Sequence, residues 1–134
     1  MIKMKRNVES KEGRKFAHFL IQREWFVRKL HGNMFQAGLP DYILGRPSDG
    51  KLIFVELKVL RARKKYRPID VFKALHGPQI GVILMLASKR CPVFILAHGP
   101  YGWLLATPPF NQPEYLEPKT LEKIGDELEE KPAT

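Results

Sequence analysis

The sequence predicts an α/β fold: a mixed central β-sheet flanked by helices. Three patterns in its 134 residues carry that expectation: an amphipathic helical repeat near the start, short β-rich segments parted by turn residues, and an apolar helix set between strands. A chain of this length encloses one core and is too short for two.

The elements follow in order. Residues 1–8 read as a basic arm. Ser10 is a candidate N-cap, and beyond it Phe16, Ala17, Phe19, Leu20 and Ile21 recur at helical spacing with Lys11, Arg14, Lys15 and Arg23 between them. Residues 25–30 concentrate aromatic and β-branched side chains and form a first strand, closed by Gly32-Asn33. Gln36-Ala37-Gly38-Leu39-Pro40 is a turn, 41–46 a second strand, Pro47-Ser48-Asp49-Gly50 a tight reversal and 52–59 a third strand, so the last two make a hairpin. A basic loop over 61–67 leads to a helical turn over 70–75. Pro78, at a first helical position, opens a helix to about residue 89. Residues 92–97 and 102–107 are further strands, joined through Gly99-Pro100. The order over 1–110 is helix, three strands, helix, two strands, followed by an acidic, helical tail over 111–134.

Charge narrows the partners. With 23 Lys and Arg against 14 Asp and Glu the formal charge is +9, a field that attracts polyanions and puts nucleic acid first. Residues 1–90 hold 20 basic and 7 acidic side chains, residues 91–134 only 3 and 7, so the basic field belongs to the first two thirds. Cys91 stands alone and can close no intrachain disulfide, which suits a reducing, cytoplasmic setting. The basic start is followed by no signal-peptide apolar run, and the longest apolar stretch, 80–87, falls short of the roughly 20 residues a membrane helix needs. The four histidines have no ligand spacing and no serine sits in a nucleophile elbow, so neither zinc nor covalent catalysis is expected.

The chemistry lies on the hairpin. If it reverses about Ser48 and Asp49, Asp41 falls opposite Glu56, and directly opposed side chains share one face. Two like charges so placed are costly without a cation, and hard oxygen donors suit Mg²⁺. Lys58, two residues after Glu56, points the same way, while Ile53, Val55, Leu57 and Val59 fill the other face. An ammonium beside a metal orients a water or offsets charge on a phosphate, which is the equipment for phosphodiester hydrolysis. The competing reading is a surface Glu56–Lys58 ion pair, because E-x-K triplets are abundant.

Gly38-Leu39-Pro40-Asp41, a hairpin, then Glu56-Leu57-Lys58 resembles the signature of PD-(D/E)XK nucleases, particularly their VRR-NUC and Holliday-junction-resolvase-like branches, over about residues 9–97. The resemblance implies that Asp41, Glu56 and the Leu57 carbonyl ligate Mg²⁺, with Mn²⁺ able to substitute, and that Lys58 serves the attacking water. It further implies a carboxylate on the first helix, Glu9 rather than Glu12, reaching the metal's water shell. It implies a helical glutamine, Gln79, near Lys58. For Glu9 and Glu12 the alternative is complementing a helix dipole, and for Gln79 an ordinary first-turn residue.

Lys11, Arg14 and Lys15 on one side, and Arg61, Arg63, Lys64, Lys65 and Arg67 on the other, would track a phosphate backbone. Tyr66 or Phe35 would serve as a stacking surface or simply as packing. The expected function is therefore a Mg²⁺-dependent endonuclease on DNA, structure-specific by resemblance, with a homodimer for paired cuts at a two-fold junction. Two rivals stand beside it: a non-catalytic nucleic-acid-binding protein on a nuclease-like scaffold, and a sequence-specific restriction-type nuclease.

Overall fold

The computed structural model describes residues 2–30 and 38–130, with side chains from Lys11 onward. Nine elements follow in chain order among the described residues: α1 (Ile2–Gln22), β1 (Phe26–Lys29), β2 (Tyr42–Gly45), β3 (Leu52–Val59), α2 (Pro68–Lys73), α3 (Gly77–Ser88), β4 (Val93–Gly99), β5 (Gly102–Ala106) and α4 (Leu121–Glu130). The strands form one sheet in sequence order, β1-β2-β3-β4-β5, antiparallel throughout except for the parallel β3–β4 pair. The fold is α/β with a mixed sheet, as the residue pattern predicts. A parallel pair needs a crossover, which α2 and α3 supply.

The basic arm expected over 1–8 is helical backbone from Ile2, so Ser10 is not a cap. Residues 2–12 contain no Pro or Gly and are rich in Met, Lys, Arg and Glu, straight-chain residues that lose little freedom in a helix. The helix ends in a Schellman turn: Trp25 N–H donates to Leu20 C=O at 3.0 Å and Glu24 N–H to Ile21 C=O at 3.0 Å. Glu24 occupies the left-handed position at φ 69°, which glycine usually holds.

The sheet is covered on both faces. Phe16 and Leu20 of α1, four residues apart, are fully buried against Tyr42, Leu44, Ile53, Val55, Leu57, Leu96 and Trp103. Full burial of side chains of this size is worth roughly 1.5–3 kcal/mol each. On the other face Tyr66, Val71, Leu75 and Ile83 from the crossover pack on Val93, Ile95, Ala97, Leu104 and Ala106.

The segment set apart by its charge as a tail supplies α4 to this core. Ile124 and Leu128 are fully buried on the α1 face, while the acidic residues point outward to basic partners. Arg23 meets Asp126 at 2.8 Å and Glu129 at 3.2 Å, and Lys119 pairs with Glu127. Composition counted the acids, whereas the two apolar residues spaced at i, i+4 decided the packing. No described helix is long and apolar enough to cross a membrane.

Candidate active site

The β2–β3 hairpin has the expected register: Tyr42 is opposite Val55 and Gly45 opposite Leu52. Continued one residue outward, that register sets Asp41 opposite Glu56. Asp41 lies just before the strand, and its Oδ2 accepts a hydrogen bond from Leu57 N–H at 2.8 Å. Its own carbonyl accepts from Leu30 N–H at 2.8 Å, so Asp41 is tied to both β1 and β3.

Gly38 explains the start of the Gly-Leu-Pro-Asp turn. Its φ of +88° is a conformation that a side chain resists, and a Cβ there would overlap the Pro78 carbonyl at the start of α3. The turn therefore passes against the helix, and Pro40, which follows it, is buried. Chain direction and close approach together bring Asp41 to the end of β3 where Glu56 and Lys58 lie.

Glu56 is 2% exposed. Strand alternation puts it on the crossover face, beside Ile95 of β4, and puts Lys58 beside Ala97 on the same face. Gln79 Nε2 donates to Glu56 Oε2 at 2.7 Å, while Gln79 Oε1 accepts from His76 N–H at 3.0 Å. One side chain thus caps the first turn of α3 and holds the Glu56 carboxylate. The sequence placed Gln79 beside Lys58; its hydrogen-bond partner here is Glu56.

Glu9 lies on α1, and its side chain falls outside the described residues, as does Phe35. Glu12 is 8% exposed and engaged on the opposite face of the sheet. Its Oε1 is 3.3 Å from Lys15 Nζ and its Oε2 is 3.6 Å from His98 Nε2. His98 in turn packs edge-on against Trp103 with ring centroids 4.7 Å apart. Glu12 and Glu56 are separated by the sheet. The Glu12–His98 pair escaped the sequence reading, since nothing local links residues so far apart in the chain.

Electrostatics around the site are shaped by burial. Burial pushes the Tyr42 phenol up, the neighbouring Asp41 charge pushes the same way, and Arg14 opposes them. At the far end of the hairpin the Arg46 guanidinium holds the Asp49 carboxyl down at about 2 through hydrogen bonds of 2.6 and 2.9 Å. Arg46 is buried and also donates to Leu128 C=O at 3.1 Å, which pins the hairpin to α4.

Lys11, Arg14, Arg61, Arg63, Lys64, Lys65 and Arg67 are all exposed, and so is Lys15 beside Glu12. The loop holding Arg61, Arg63, Lys64, Lys65 and Arg67 begins where Leu60 N–H donates to His98 C=O at 2.9 Å, two residues past Lys58.

No group of three or more His, Cys, Asp or Glu side chains is gathered for a metal among the described residues. The donors present are the Asp41 and Glu56 carboxylates and the backbone oxygen between Glu56 and Lys58. An all-oxygen set with few protein ligands suits a hard divalent ion that keeps several waters, as Mg²⁺ does. The buried Glu56 carboxylate, which accepts a hydrogen bond from the Gln79 amide at 2.7 Å, fits that role.

No family model matches the chain, and no curated protein does. Among solved structures it is similar to Hjc, a Holliday junction resolvase from the archaeal hyperthermophile Archaeoglobus fulgidus, with a TM-score of 0.48 and 10% sequence identity over 87% of this chain and 88% of that one.

Proposed function

We propose that this chain is a metal-dependent endonuclease that hydrolyses DNA phosphodiesters, with branched DNA as its substrate class. The observation that carries the reading is the hydrogen bond from Leu57 N–H to Asp41 Oδ2 at 2.8 Å. It locks one carboxylate across the hairpin onto the Glu56-Leu57-Lys58 triplet, something a surface ion pair does not require.

In this reading Asp41, Glu56 and the Leu57 carbonyl would hold Mg²⁺, or Mn²⁺ in its place. When bound, such an ion supplies Lewis-acid polarisation of the phosphate and a lowered pKa for water. Lys58, on the same face, orients the attacking water and offsets charge that builds on the phosphate oxygens. Gln79 fixes the rotamer of Glu56, and Glu9 is kept from the resemblance as the α1 carboxylate of the metal's water shell. The exposed cations of 61–67, with Lys11, Arg14 and Lys15, bind the phosphate backbone without reading sequence. Cutting both strands of a two-fold junction calls for a homodimer.

The test is cleavage of single-stranded, duplex, flap and four-way-junction DNA with Mg²⁺, by wild type and by Asp41→Ala and Glu56→Ala. Wild type alone should cut, and junction or flap should be preferred over duplex. Removing either carboxylate should abolish cleavage and leave binding nearly intact. Wild type that binds DNA and never cuts, with both variants binding equally, would establish the non-catalytic rival instead.

A further inference from the structure

Beside the proposed active site lies a groove that the catalytic reading does not use. It has a volume of about 360 Å³ and is lined by Tyr66, Leu104, Tyr101, Tyr115, Lys64 and Lys65 among others. Leu104 of β5 pairs with Ala97 of β4, and Ala97 pairs with Lys58 of β3. The three lie in one row across one face, so the groove opens on the Lys58 side of the sheet. Two strand spacings separate Leu104 from Lys58, roughly 10 Å. That is about three base steps of a stacked strand.

The aromatic groups in the groove differ in what they leave open. Tyr66 is 6% exposed, donates its hydroxyl to Ala62 C=O at 3.1 Å, and carries Lys64 Nζ 5.2 Å from its ring centroid. It forms part of the wall. Tyr101 and Tyr115 are 66% and 52% exposed. Arg67 lies over the Tyr115 ring at 4.8 Å and donates to its hydroxyl at 3.3 Å, with Lys65 at 5.9 Å. The exposed Tyr101 ring, and the part of the Tyr115 ring that Arg67 and Lys65 leave exposed, match with these cations a ligand that has both a π-face and a phosphate. Glu117 also lines the groove, which keeps phosphate to the lysine side. A paired base offers no free face, because its neighbours in the stack cover it.

We infer that this groove binds an unpaired nucleobase of the nucleic-acid strand, stacked on Tyr101 and Tyr115 with its phosphates on Lys64, Lys65 and Arg67. The inference rests on the nuclease reading and deepens it: the groove would select DNA with an unpaired nucleotide a few steps from the cut. Tyr66, the aromatic singled out in the sequence, serves as a wall and not as the stacking surface.

The experiment is fluorescence anisotropy with EDTA, so that nothing is cut, using a labelled mixed-sequence single strand and the matching blunt duplex. Wild type, Tyr101→Ala, Tyr101→Phe and Tyr115→Ala are compared, and circular dichroism checks their folding. Tyr101→Ala and Tyr115→Ala should each weaken single-strand binding about tenfold, the scale of one lost base–aromatic stack. Tyr101→Phe keeps the ring and should match wild type, and no variant should change duplex binding. Equal losses on both substrates, or no loss on either, overturn the groove while leaving the nuclease reading in place. Wild type that binds neither substrate, both in EDTA and with Ca²⁺ in place of Mg²⁺, overturns both.

Discussion

Replacing Gly13 by alanine tests the seat of α1 on the sheet, because two known effects oppose each other there. In an exposed helix the change would stabilise by about 1 kcal/mol through backbone entropy and propensity. At Gly13 the new Cβ would lie 2.5 Å from the Tyr42 hydroxyl oxygen and 3.2 Å from Leu57 Cδ2. The Tyr42 ring is 4% exposed and packs edge-on against Phe16, with centroids 6.0 Å apart, so it has little room to swing. Overpacking of this kind costs about 1–3 kcal/mol. The net expectation is a loss of about 1 kcal/mol, with α1 lifted from Tyr42 and Leu57.

Because Tyr42 and Leu57 adjoin Asp41 and Lys58 in sequence, cleavage should fall with stability. Urea denaturation of wild type, Gly13→Ala, Tyr42→Phe and the double variant measures the coupling. Removing the hydroxyl leaves the Tyr42 Cζ at 3.5 Å, an ordinary contact, and only the end of the flexible Leu57 side chain at 3.2 Å to give way, so in the Tyr42→Phe background Gly13→Ala should be near neutral or stabilising. The double-mutant coupling should be about 1–2 kcal/mol. A Gly13→Ala protein stabilised by its full helix propensity, additive with Tyr42→Phe, would refute the packing argument.

Gln79→Ala should lower kcat by about 10- to 100-fold with KM little changed, since a hydrogen bond to a charged group is worth about 1.5–3 kcal/mol; an unchanged kcat in steady-state cleavage would make the Gln79–Glu56 contact ornamental. Gln79→Glu should be worse, because it sets a second carboxylate against Glu56. The Asp49 carboxyl, held down to about 2 by Arg46, contributes stability that is full above its ordinary value of 3.8 and is lost as pH falls through about 2. Thermal unfolding of Asp49→Asn should therefore lose part of the wild-type pH dependence between those values; an unaltered acid limb would show that the Arg46 contact contributes nothing to folding.

The candidate site was legible where it depends on local geometry. Alternation on β3 sorts Glu56 and Lys58 from Leu57 and Val59, and a tight reversal at 47–50 leaves only one register for Asp41. Both are properties of adjacent residues. Helix and strand limits were less legible: β1 and β2 each proved two residues shorter than their patterns, and α1 begins at Ile2 where a nearby serine suggested a cap. Strand ends depend on which neighbours complete the ladder, and a cap is only used where the helix in fact stops.

The sequence by itself determined the α/β class, the hairpin register, and the carboxylate–lysine set on one face, because side-chain periodicity and turn chemistry act over a few residues. Tertiary structure alone decided which glutamate belongs to which face, since Glu12 meets His98 of β4 across a gap no local pattern spans. It also decided that Gln79 holds Glu56, and that α4 is part of the core. The groove of Tyr66, Tyr101 and Tyr115 exists only once the loop after β3 and the segment after β5 are folded against the β4–β5 turn. Contacts of that kind are set by how layers pack, and packing depends on volume and burial summed over the whole chain.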